Sequence, residues 1–138
     1  MQVQLIIYPM ATLFLLNMTV IMMMLFFRVK AVRERKISPR YFKLNRGGEL
    51  PDHLEALSQN YNNLLELPVL FYVVCLAVIF LNLNVEQFLI SAWLYVSFRY
   101  VHTVIHITSN HILYRLLAFT ASCFVLAFMW VKLVLLVS

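Results

Sequence analysis

Between Leu5 and Phe27 the chain runs for 23 residues without a charge. As an α-helix at ~1.5 Å per residue this stretch is about 35 Å long, enough to cross the hydrocarbon of a bilayer. Three more long apolar stretches follow, at about 54–81, 87–108 and 112–137. A chain of 138 residues that is 63% hydrophobic and only 12% charged cannot hide this much apolar surface in a core of its own, since ordinary soluble domains carry about 25% charged residues. The expected fold class is therefore an all-α integral membrane protein. It is a single four-transmembrane-helix domain over residues 1–138, because backbone in lipid must satisfy its own polar groups. Positive charge follows the first run and no small-residue cleavage site appears, so that run is expected to be retained as a span.

The net charge of +5 is local. Eight of the eleven Lys and Arg residues lie between Arg28 and Arg46, where Glu34 is the only acid. Beside a membrane span, such a run sets orientation rather than binding nucleic acid. The basic loop 28–51 is expected in the cytoplasm, docked on anionic headgroups, with both termini on the opposite side. The loop holds Gly47 and Gly48, the only glycines, and ends at Pro51, which suits the first turn of the next helix. Cys75 and Cys123 both fall in apolar runs and read as small packing residues.

The second helix enters the membrane amphipathic. Glu55, Gln59, Asn63 and Glu66 recur on one face and Leu54, Leu57, Tyr61, Leu64 and Leu65 on another, with Pro68 further along. In the third span Arg99, His102 and His106 stand at i, i+3 and i+7, bordered by Tyr95 and Thr103. That spacing puts them on one helical face. Ionisable groups cost at least ~2.5 kcal/mol each on insertion scales, so a stripe of them needs a reason. Arg115 opens the fourth span. The alternating direction of the helices brings all these side chains to the cytoplasmic half, where Glu66 is expected to supply a counter-charge to Arg99 or Arg115. Asn17, alone near the middle of the first span, is expected to make an interhelical hydrogen bond, and Lys132 to snorkel to the outer surface.

The polar set admits a structural reading, a buried network that fixes helix packing. Its excess of positive charge instead favours a site for an anionic ligand. Metal is the weaker reading: His102 and His106 have i, i+4 spacing, but no Cys or second carboxylate stands near them. No nucleophilic triad or glycine-rich phosphate loop is present.

Asn63-x-x-Glu66 followed by Pro68, then Arg99-x-x-His102-Thr103-x-x-His106, then Arg115, resembles the MAPEG family, the membrane-associated proteins of eicosanoid and glutathione metabolism. The resemblance covers the whole chain. It implies a homotrimer, with glutathione as co-substrate held between protomers near the cytoplasmic face. Asn63 and Glu66 would meet its peptide and amino group. Arg99 and His102 would support its carboxylates, with His106 beside them, and Arg115 would approach the sulfur as the catalytic residue. The chain departs from the family's eicosanoid-pathway enzymes at Gln59, where they carry arginine, and at His106, where tyrosine is usual. Phe119 also stands where some carry a second tyrosine. The resemblance implies a glutathione-dependent transferase or peroxidase acting on hydrophobic small molecules or lipid peroxides in the membrane. The alternatives are a non-catalytic lipid-binding or scaffold protein of the same fold and a small ion or proton pathway.

Overall fold

A computed structural model describes residues 2–44 and 48–138. Among the described residues there are four long helices and one short one: α1 (Ile7–Arg33), α2 (Tyr41–Leu44), α3 (Asp52–Phe80), α4 (Glu86–Ile107) and α5 (Ile112–Val137), with a 3-10 turn over Gln2–Ile6. The four long ones are each long and apolar enough to cross a membrane, and the protein is an integral, multi-pass membrane protein. Its outer faces carry bare apolar side chains such as Phe80, Ile90, Ile112 and Phe124, which only lipid or another protein can cover favourably.

α1 runs through Arg28, Lys30 and Arg33, beyond the point where charge ends the apolar run. Long basic side chains favour helix and can reach the headgroup region from its last turns. A Schellman closure ends it: the Lys36 amide donates to the Ala31 carbonyl and the Arg35 amide to that of Val32, both at 3.0 Å. Arg35 takes the left-handed conformation that closure requires, at φ 55°. α3 ends in the same way around Asn82, at φ 52°. Past the first closure, Ile37 tucks against Ala31 and Leu54, pinning the chain to the junction of α1 and α3.

The main core lies where the four long helices face each other. Leu13, Leu16 and Val20 of α1 meet Phe71, Val74 and Val78 of α3, Phe88 and Tyr95 of α4, and Met129 of α5. The Phe71 and Tyr95 rings stack with centroids 4.6 Å apart. Cys75 is buried there, and both cysteines are free thiols.

Hydrogen bonds fasten α1 to its neighbours. Tyr72 Oη donates to the Met10 carbonyl at 3.3 Å and Tyr100 Oη to that of Thr12 at 2.9 Å. Asn17 makes the expected interhelical bond, a long one of 3.5 Å from Nδ2 to the Leu64 carbonyl. Leu64 lies four residues before Pro68, so its carbonyl has no intrahelical N–H to accept. Asn17 supplies the donor that Pro68 lacks. Lys132 donates to the Gln87 carbonyl at 2.8 Å and lies over the Phe88 and Phe128 rings.

Candidate functional site

α4 turns its polar stripe inward. Arg99 and His106 are 0% exposed, and His102 and Thr103 are buried beside them. Arg99 Nε donates to Tyr95 Oη at 3.2 Å. Its guanidinium carbon sits 5.5 Å from the Tyr95 ring centre and 5.3 Å from that of Phe119. Arg99 Nη1 and Nη2 have no hydrogen-bond partner among the described residues. Both ring nitrogens of His106 share that condition, as do His102 Nε2 and Asn60 Nδ2. Buried polar groups are satisfied in the great majority of cases, so this concentration of unmet capacity marks the region.

The structure brings three of the expected residues to one opening. Asn63 from α3, His102 from α4 and Arg115 from α5 line a cleft of about 460 Å³, together with the apolar Ile112, Leu116 and Phe119. His102 Nδ1 lies 3.1 Å from the Arg115 carbonyl oxygen. That oxygen only accepts, so the imidazole donates from Nδ1 and, when neutral, keeps Nε2 as an acceptor. Arg115 is half-buried and its Nη1 donates to Asn110 Oδ1 at 2.6 Å. Asn110 is itself in the left-handed region, at φ 49°, in the tight turn between α4 and α5.

Arg99 and His106 are not among the residues lining this cleft. Phe119 is: its ring lies against both the Arg99 guanidinium and the His102 imidazole, the latter at 5.8 Å between centres. The expected counter-charge does not form within the protomer. Glu66 is exposed and makes no ion pair with Arg99 or Arg115. The reason is angular. α3 packs through Asn60, Leu64, Pro68 and Phe71, and Glu66, two residues from Leu64, points about 200° away from it around the helix. Gln59 shares the outer face and gives its amide to Glu55 at 3.2 Å.

Asn60 was missed by the sequence reading. It is fully buried and accepts from Thr103 Oγ1 at 3.3 Å, joining α3 to the α4 stripe. Its spacing carried the signal, since Leu57, Asn60 and Leu64 recur at i, i+3 and i+7 on the face that packs.

Four spans, a basic connection after the first and a polar cluster near that same end define a small helical membrane protein with a cationic intramembrane cleft. A family model matches residues 6–135, that of the MAPEG family, and the chain belongs to it. The fold of that family is a four-span bundle, typically trimeric, and its members often bind glutathione. It includes glutathione-dependent transferases and peroxidases as well as non-catalytic members such as the lipoxygenase-activating protein. Neither the curated proteins nor the solved structures compared give a match to the chain.

Proposed function

We propose that the protein is a glutathione-dependent transferase or peroxidase acting on hydrophobic electrophiles or lipid peroxides that reach it through the bilayer. The cleft is the observation that carries this reading. Its lining mixes Arg115, His102 and Asn63 with Ile112, Leu116 and Phe119, so a charged thiol and an apolar partner meet groups of matching character in one space. Glutathione brings two carboxylates, an amino group and a thiol, and the polar groups of the lining offer partners for that pattern. Asn63 and His102 offer polar contacts, and Arg115 supplies the cation. Glutathione, when bound, provides the sulfur nucleophile. A guanidinium beside a thiol favours the thiolate, the reactive form. Glu66 and Gln59, exposed on the face of α3 that bears Asn63, complete the site from the trimer interface, with Glu66 as partner for an ammonium group. In this reading Arg99 supports the site from behind Phe119 and His106 from beside His102, and membrane lipid surrounds the assembly.

One observation favours the non-catalytic lipid-binding alternative. Where the family's eicosanoid-pathway enzymes carry arginine, this chain has a neutral Gln59 bonded to Glu55, and a neutral amide does not replace a bidentate guanidinium. Thiolate formation separates the two. Adding glutathione to the purified protein is expected to produce the ultraviolet absorbance of a bound thiolate, and conjugation of an aryl halide should follow. Arg115→Ala should abolish the absorbance with the oligomer mass unchanged, and Arg115→Lys should retain part of it. A parent protein that binds glutathione without forming thiolate, or does not bind it, would move the assignment to the non-catalytic reading.

A further inference from the structure

A second recess lies away from the cleft, at the end of the bundle where α1 stops. It holds about 380 Å³, within the ~300–1,000 Å³ range of small-molecule pockets. Met23, Phe27, Leu57 and Ile107 make its apolar lining, while Lys30, Lys36, His53 and Glu34 bring charge and polarity to it. The Schellman closure of α1 builds this charged part, because the left-handed turn at Arg35 folds Lys36 back beside the helix it has just left. Lys36 Nζ then sits 2.6 Å from Glu34 Oε2, and Lys30 Nζ lies 3.9 Å from Oε1, at the limit of an ion pair. His53 is held against Phe27, edge to face, with ring centres 5.4 Å apart.

Two ammonium groups therefore share one carboxylate. Lys30 is seven residues from Met23, about 10 Å along the helix at ~1.5 Å per residue. The recess thus runs from the charged end of α1 down into its apolar length. It offers cationic chemistry at one level and hydrocarbon chemistry at the next, and lysine's compact ammonium binds phosphate as a point charge. A ligand that presents an anionic phosphate and an alkyl chain across that same boundary is an anionic phospholipid.

We propose that this recess is a binding site for one anionic phospholipid, its phosphate between Lys30 and Lys36 and the upper part of one acyl chain against Phe27 and Leu57. Glu34 is the internal competitor of the phosphate: it holds the two ammonium groups together and must yield them to the lipid. The site is separate from the cleft and does not depend on glutathione chemistry.

The test uses the full-length protein in a neutral detergent, titrated with dioleoylphosphatidylglycerol and read by native mass spectrometry. A single lipid should bind per chain and saturate. Lys30→Gln with Lys36→Gln should weaken it about tenfold, the loss of two basic contacts less what Glu34 already takes up. Arg33→Gln with Lys43→Gln removes equal charge from the same basic segment outside the recess and should leave the affinity nearly unchanged. Glu34→Gln should tighten binding. Dioleoylphosphatidylcholine and inorganic phosphate should each fail to displace the lipid. Equal weakening by the two double variants would overturn the site in favour of diffuse attraction to the basic loop. Displacement by phosphate alone would remove any role for the apolar wall, and weaker binding in Glu34→Gln would show that Glu34 builds the site rather than competing in it.

Discussion

Replacing Arg99 by methionine is the perturbation whose sign best distinguishes the possible surroundings of this residue. A buried cation paired to a carboxylate loses ~3–5 kcal/mol when one partner is removed, because the other is left charged and dry. Arg99 has no such partner in the protomer: two of its three nitrogens are unpaired and the third meets a neutral hydroxyl. Methionine, similar in length and apolar, removes a desolvation penalty of several kcal/mol. Against that stand ~1 kcal/mol or slightly more for the hydrogen bond to Tyr95 Oη and ~1–2 kcal/mol for each of the two ring contacts. The opposing contributions are of similar size, so the ligand-free variant should keep its unfolding free energy within about 2 kcal/mol of the parent. Reversible unfolding in mixed detergent micelles, followed by circular dichroism, measures this. A loss above ~3 kcal/mol in ligand-free protein would refute the reasoning, since only a bound or neighbouring anion gives Arg99 that value.

Asn17→Leu should cost up to ~1 kcal/mol by leaving the Leu64 carbonyl without a donor; adding Pro68→Ala, which restores an N–H, should recover that part of the loss in the same unfolding measurement. Thr103→Val should cost ~1–2 kcal/mol because buried Asn60 then loses its partner, and Asn60→Leu on that background should recover part of it. The hydrogen bond from Lys36 holds the Glu34 carboxyl below the ordinary carboxylate range. With the folded value the lower one, its contribution is present above the unfolded value and is lost as pH falls through the folded one. Lys36→Gln should move the Glu34 titration upward in a carboxylate-resolved NMR experiment, and an unmoved titration would refute the pairing.

The helices were legible because lipid imposes a simple grammar of length and apolarity, and the α4 stripe because i, i+3 and i+7 positions share a face whatever surrounds them. Depth was legible too: Asn63, His102 and Arg115 do reach one opening. Azimuth between helices was not. Knowing that Glu66 and Arg99 lie in corresponding halves of α3 and α4 says nothing about whether they face each other, and Glu66 turns outward because Leu64, Pro68 and Phe71 claim the packing side. Asn60 shows the converse, a polar residue that occupies the packing face among leucines and whose spacing carried a signal that the sequence reading missed. α1 runs on to Arg33, past the end of the uncharged run, because a charge stops a hydrophobic run without stopping a helix. The recess beyond it depends on the non-glycine left-handed residue Arg35, a conformation that residue type does not announce.

The bond from His102 reaches the carbonyl of Arg115, not its side chain. What α4 grips is therefore the main chain of α5, at a height independent of the residue carried there. Main chain and side chain are separable at position 115: the guanidinium can be exchanged for another group while the attachment that sets its place endures. A chain built in this way can change its chemistry by a single substitution without renegotiating how its third and fourth spans meet.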